Sequence, residues 1–333
     1  MKQAHSFPIT GVVPQGKDGI LLSFGIPSEH QEDFIFKPGQ YLTLRGGDDE
    51  PVWRCYSITS DPQINNGISV LVKRVPGGRL SNWLVDNAKV DGHVELLPPA
   101  GSFLLARPDN PVLLYAGGSG IAPIYALARQ ALEQGSAQVR LFFANRDSDS
   151  VMMRVELSRL ESDYPGRFEV VFWNDQERGL PTAGDLTRPA EDLREADVYI
   201  CGPDPFMRAV HNVLEEFGFD RARLIKEDFG AAVQAPIDGV GVDLAQLTVQ
   251  LNGQAHEITV EKGETLLAAM LRAGLNAPHA CRVGECASCT CRLESGQVNR
   301  LDSSVLDEDD VEDGWLLACR SFADSEELIV RFL

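Results

Sequence analysis

Cys281-Arg282-Val283-Gly284-Glu285-Cys286-Ala287-Ser288-Cys289, answered by Cys319 far downstream, decides how this chain is read. Three thiols in nine residues plus one distant partner have the ligand spacing of a [2Fe-2S] cluster. Gly284 is expected to let the loop close around the sulfurs without Cβ crowding, and short Ala287 and Ser288 to leave backbone N–H groups free to face the metal. A disulfide framework suits small secreted chains, whereas this one has 333 residues and opens M-K-Q-A-H-S-F-P with no apolar leader behind it. A structural zinc site would pair two short hooks, and Cys319 has no second Cys or His beside it. Cys291 would share a strand face with Cys289 and reads as a packed thiol.

Outward from this loop, 333 residues exceed one comfortable core, so several domains are expected. A formal charge of −19 argues against nucleic acid or an anionic membrane as partner. No apolar run reaches membrane-span length. Thiols kept reduced for a cluster place the chain in the cytoplasm.

Residues 1–107 alternate apolar and polar in short segments broken by Gly and Pro, which predicts an antiparallel β-barrel. Residues 108–232 alternate buried strands (P-V-L-L-Y-A, Q-V-R-L-F-F-A, D-V-Y-I-C) with amphipathic helices, which predicts a parallel α/β sheet. Residues 233–246 read as a linker, and 247–333 as the cluster domain, opening on a hairpin at Asn252-Gly253. Thr265 is expected to cap a short helix carrying Leu266, Leu267, Met270 and Leu271.

Two turns of the middle domain suit a dinucleotide. Gly117-Gly118-Ser119-Gly120 follows a strand and opens a helix, so its amides can approach a pyrophosphate; Cys201-Gly202-Pro203 ends another strand. Neither departs far from an ordinary tight turn when read alone. In the barrel, Arg54-Cys55-Tyr56-Ser57 puts a guanidinium and an aromatic ring on one strand face with a hydroxyl at the end, and Gly78 precedes Ser81, an expected helix N-cap facing a phosphate.

Taken together, Arg-x-Tyr-Ser, Gly-x-x-Ser, Pro99-Ala100-Gly101-Ser102-Phe103, Gly-Gly-x-Gly-x-x-Pro and Cys-Gly-Pro resemble the ferredoxin–NADP reductase superfamily. The tail S-V-L-D-E-D-D-V-E-D-G-W-L-L-A-C resembles plant ferredoxin. The domain order is similar to that of the reductase components of 3-ketosteroid 9α-hydroxylase and phenylacetyl-CoA epoxidase. The resemblance implies a flavin barrel, a nicotinamide domain and a β-grasp ferredoxin domain. It implies that Arg54 pairs with the flavin pyrophosphate, Tyr56 flanks the flavin ring, Ser57 hydrogen-bonds near N5, and Gly78 and Ser81 hold the phosphate side. FAD is expected, with FMN the alternative. Gly117, Gly118, Gly120, Gly202 and Pro203 would hold the nicotinamide dinucleotide, Cys201 would approach its reactive ring, and Phe229 would shield the flavin. Cys281, Cys286, Cys289 and Cys319 would ligate the cluster.

The expected activity is an NAD(P)H-dependent flavin and iron–sulfur oxidoreductase that passes electrons to a Rieske-type or di-iron oxygenase. The alternative is a stand-alone reductase of another redox protein. NADH is favoured over NADPH because Asp147 and Asp149 outnumber Arg146 in the loop after the second strand of the middle domain. Six acids in seven positions from Asp307 to Asp313 read either as a solvated helix face or as a patch steering a basic acceptor.

Overall fold

The computed structural model describes residues 4–47, 51–63, 67–229, 239–303 and 305–332. Part of the predicted linker, residues 233–238, lies outside them. Strands β1 (His5–Gln15), β2 (Gly19–Phe24), β3 (Tyr41–Gly46), β4 (Val52–Ser57), β5 (Ile68–Lys73) and β6 (His93–Ala100) form one antiparallel sheet in the order β4-β3-β6-β1-β2-β5. Its ends meet where Ile58 bridges Val70 and Thr59 N–H donates to Ser69 O at 2.8 Å, so the sheet closes on itself and loses its edges there. Inward alternation buries Leu22, Phe24, Leu42, Leu44, Val70 and Val72 around Leu80 and Leu84 of helix α1 (Arg79–Asn87).

Strands β7 (Val112–Gly117), β8 (Val139–Asn145), β9 (Phe168–Asn174), β10 (Asp197–Cys201) and β11 (Leu224–Glu227) are parallel, in the order β11-β10-β7-β8-β9. Successive β7 residues face opposite cores. Leu114 and Ala116 pack under α2 (Ile121–Gln134) and α3 (Arg154–Asp163); Leu113 and Tyr115 pack with residues of α5 (Ala183–Thr187) and α6 (Asp204–Glu216), a short α4 (Asp175–Arg178) lying between α3 and α5 in the chain. Strand order reverses between β7 and β10, so the crevice for a ligand lies past their carboxyl ends, at Gly117 and Cys201.

This sheet is stitched to the barrel. Buried Gln15 accepts from the Met153 N–H at 2.8 Å at the start of α3, Arg129 of α2 donates to Ser60 O at 2.7 Å, and Lys17 pairs with Asp147 at 2.6 Å.

The last domain has β12 (Leu244–Leu251), β13 (Gln254–Glu261), α7 (Leu266–Arg272), β14 (Thr290–Ser295), β15 (Val298–Arg300), α8 (Glu308–Glu312), β16 (Trp315–Leu317), β17 (Ser321–Ala323) and β18 (Glu327–Arg331), with sheet order β13-β12-β18-β14-β16. The hairpin turn is at Asn252-Gly253, both with positive φ as a two-residue turn requires. Thr265 caps α7, whose Leu266, Leu267 and Met270 are buried against the sheet. Cys291 is fully buried in the same core. Much of the acidity of α8 is local chemistry: Asp307 is its N-cap, accepting from Asp310 N–H at 2.8 Å, and acids in a first helical turn oppose the positive end of the dipole.

Candidate functional site

The cysteine loop turns on three left-handed residues, Arg282, Gly284 and Ala287, at φ values of 60°, 86° and 62°. Two of these are not glycine, and such strain persists where the surroundings over-determine it. The Val283 and Glu285 N–H groups both point at Cys281 Sγ at 3.4 Å, and the Cys281 N–H at Cys286 Sγ at 3.4 Å. Ser288 contributes its hydroxyl, 3.0 Å from Cys286 Sγ. A Cβ on Gly284 would lie 2.7 Å from the Arg320 side chain, so the nearest crowding it avoids comes from that arm.

The four sulfurs fall into two touching pairs, Cys281 with Cys286 and Cys289 with Cys319. Two irons each needing two thiolates want that division. As free thiols the group is ill at ease. Its hydrogen bond to Cys286 and burial push Cys281 up, the contact with Cys319 and burial push Cys289 up, and Cys286 stands at about 12 despite its bond from Cys281, raised by Cys55 and burial. Cationic iron reverses that logic by binding thiolates outright. The donor set fits a [2Fe-2S] cluster.

On the barrel, β4 ends at Ser57, which is buried, and its Oγ finds no hydrogen-bond partner among the described residues. An orphaned buried hydroxyl fits a strand that meets a polar ring atom. Tyr56 is half-buried, and burial raises its hydroxyl pKa. Burial, with Arg282 and Arg79 nearby, lowers the pKa of Arg54, so the positive charges gather where a pyrophosphate would relieve them. Ser81 is not the N-cap. Gly78 is, and α1 begins at Arg79, leaving Ser81 buried in the first turn. A Cβ on Gly78 would come within 2.3 Å of Ser81 Oγ, so this close approach is what the glycine permits.

Replacing Ser57 by Ala separates folding from chemistry. Removing an unpaired buried hydroxyl is expected to leave the flavin-free protein as stable or up to about 1 kcal/mol more stable. Flavin reduction by NADH should slow at least several-fold in the same variant. Chemical denaturation and stopped-flow absorbance check the two signs.

The nucleotide turns touch each other. A Cβ on Gly120 would lie 2.1 Å from Cys201 O, and one on Gly117 would lie 2.8 Å from Pro203 Cδ. Gly202 in turn approaches the Gly117 backbone. Cys201 is fully buried, and burial raises its thiol pKa. Its in-register neighbour on β11 is Glu227, pushed up to about 7 by burial, with help from Glu285 and Asp228. Phe229, two residues on, is 49% exposed.

Sequence reading missed Lys73 and Glu285. Lys73, at the end of β5, reaches over the left-handed Gly118 so that a Cβ there would meet its Nζ at 3.1 Å. Burial and Arg146 lower its pKa against the pull of Asp18 and Asp147. The only sequence signal was a lysine ending an apolar strand. Asp147, one of the two acids counted toward NADH, is already engaged: Lys17 and Ser150 hold it down at about 2. Asp149 alone remains for that argument.

A flavin barrel, a switch-point crevice and a two-plus-two thiol loop define an NAD(P)H-dependent flavin and iron–sulfur oxidoreductase. Residues 8–104 match the oxidoreductase FAD-binding domain, 114–212 the oxidoreductase NAD-binding domain and 249–324 the 2Fe-2S iron-sulfur cluster binding domain. The chain belongs to the family of oxygenase reductase components. It is 38% identical to the ferredoxin reductase component of 3-ketosteroid-9-alpha-monooxygenase from Rhodococcus rhodochrous, across 97% of this chain and 95% of that one. It is 30% identical to a component of 1,2-phenylacetyl-CoA epoxidase from Escherichia coli K12, across 100% of this chain and 98% of that one. Its fold matches phthalate dioxygenase reductase with a TM-score of 0.63 at 23% identity, covering 99% of this chain and 98% of that one. FAD, NAD(H) and a [2Fe-2S] cluster are its cofactors, and no helix among the described residues is long and apolar enough to cross a membrane.

Proposed function

We infer that this chain carries electrons from NADH through FAD and the cluster to a Rieske-type or di-iron oxygenase, in the cytoplasm, without nucleic acid or membrane. The single observation that carries this reading is the convergence of all three domains at one junction. The cysteine loop packs Cys286 against Tyr41 and Ala100 of the flavin barrel, and Glu285 of that loop lies close to Glu227, beside the nicotinamide turns. The net charge of −19 supports the partner class.

When bound, the flavin takes an electron pair as hydride and the cluster takes electrons singly. The chain's residues do the placing. Cys281, Cys286, Cys289 and Cys319 hold the cluster; Arg54 pairs with the FAD pyrophosphate, Tyr56 flanks the ring, Ser57 donates toward N5, and Gly78 with Ser81 frames the phosphate side. Gly117, Gly118, Gly120, Gly202 and Pro203 would cradle the dinucleotide, Cys201 would set the nicotinamide without bonding to it, and Phe229 would shield the flavin. Mixing the NADH-reduced protein anaerobically with candidate Rieske and di-iron oxygenases tests the reading: one of them is expected to be reduced, and reduction of none refutes an oxygenase acceptor.

Glu227 gives the site a pH dependence. A carboxyl at about 7 in the folded chain, against 4.5 ordinarily, holds extra protons in the folded state between those values. Stability therefore declines as pH rises from about 4.5 and levels off above 7, a cost of about 3 kcal/mol. Glu227→Gln should remove most of that decline, seen as a melting temperature that varies less between about pH 5 and 8. The carboxylate also favours the positive charge that nicotinamide acquires on losing hydride. NADH-driven flavin reduction should accordingly rise through about pH 7 in the parent and stay flat in the variant.

A further inference from the structure

Glu285 stands between two cluster ligands, Cys281 and Cys286, yet its carboxylate bonds outward to the barrel. Oε1 accepts from Ser102 Oγ at 3.1 Å and Oε2 from the Tyr41 hydroxyl at 3.4 Å. Ser102 follows the end of β6, and Tyr41 opens β3, where it pairs with Ser57 in register. Beneath these bonds Tyr41, Ala100 and Cys286 bury one another, with Cys55, Ala280 and Cys281 at the margin. Cys286 owes its 2% exposure in part to this cover. The carboxylate also lies near the nicotinamide domain, since its charge reaches Glu227.

We propose that Glu285 is the latch that seats the cysteine loop on the flavin barrel, a positioning residue that fixes Cys286 against the strands carrying Tyr41 and Ser57. The proposal rests on the flavin-to-cluster reading above and adds to it the residue that sets the gap. Domain interfaces within one chain loosen by default. The apolar patch under Cys286 is small, so the two hydrogen bonds to a charged acceptor decide how much of the time the loop is seated. Bonds of that kind shift a two-state balance about tenfold to a hundredfold. The competing view makes Glu285 a surface carboxylate that happens to meet two hydroxyls. It predicts no change in the loop's burial when the side chain is cut back.

The test uses the cofactor-loaded full chain. Hydrogen–deuterium exchange is measured over 280–288, 39–43 and 100–104, and NADH is mixed rapidly with the protein while flavin absorbance and the cluster's electron paramagnetic resonance are followed. Glu285→Ala should raise exchange in all three segments and slow cluster reduction about tenfold or more. Flavin reduction by NADH should stay within twofold, and the cluster's midpoint potential and resonance should not move. Glu285→Gln keeps one acceptor oxygen and should recover part of both losses. Ser102→Ala leaves the loop's own sequence intact and should weaken seating to an intermediate degree; it decides the matter by the same two readouts if Glu285→Ala fails to load its cluster. Unchanged exchange and unchanged cluster reduction in both Glu285→Ala and Ser102→Ala overturn the latch. So does a shifted midpoint potential with unchanged exchange, which would make Glu285 an electronic influence instead. If the parent protein's cluster is not reduced by NADH at all, the underlying electron route fails, an outcome separate from any comparison among variants.

Discussion

Cys289→Ser should leave NADH-driven reduction of a two-electron dye within about twofold of the parent and should abolish cytochrome c reduction. The sequence reason is that Cys289 belongs to the loop, whereas the hydride site proposed above draws on Ser57, Cys201 and their neighbours on other strands. The structural reason is that Cys289 is buried against Cys319, the one expected ligand from outside the loop, so its loss breaks the tie between loop and strand end. A hydroxyl is a far poorer iron ligand than a thiolate. Cluster content, measured as iron and sulfide per chain, should fall together with cytochrome c reduction while FAD content holds. Equal loss of both activities would mean that the cluster supports the fold instead of carrying electrons, and the proposed route would be wrong.

Gly120→Ala should lower kcat/KM for NADH by about a hundredfold, the scale of a roughly 1 Å misplacement at a reacting centre. The new Cβ would sit 2.1 Å from Cys201 O, 2.4 Å from its carbonyl carbon and 2.7 Å from Gly202 N. These are backbone atoms on a buried strand end and cannot swing aside as a flexible side chain can. The β7 and β10 turns must therefore separate, and the nicotinamide cradle opens with them. FAD content and cluster content should not change, because the three atoms nearest the new Cβ all belong to Cys201 and Gly202. Gly184→Ala is the control: Gly184 lies in α5 with Thr182 Oγ1 at 3.9 Å, and it should behave as wild type. A Gly120→Ala enzyme with unimpaired NADH kinetics would remove the two touching turns from the site.

Much of this is legible in the chain because local chemistry and period agree. The parallel sheet follows from buried strands alternating with amphipathic helices, the Asn252-Gly253 hairpin from its turn residues, and the thiol loop from spacing alone. What escapes is chemistry assembled across long separations. Lys73 meets Gly118, and Glu285 meets Tyr41 and Ser102, only after domains pack, and no period or motif encodes such meetings. The count of free acids fails at Asp147 for the same reason: its partner, Lys17, comes from the first hairpin of another domain. Ser81 lies inside the first helical turn instead of ahead of it because Gly78 can start α1 without a side-chain cap. The role of Gly284 is hidden because its tight neighbour, Arg320, is remote in sequence.

The bonds from Gln15, Lys17 and Thr59-Ser60 into α2, α3 and the loop before α3 rivet the first hairpin and the barrel seam onto the nicotinamide sheet. With so many fasteners drawn from distant points, those two thirds of the molecule share one structural fate and form a common chassis. Any swing that brings the metal end to an outside acceptor must then be taken up by the tethered C-terminal third, while the frame that accepts the coenzyme stays still.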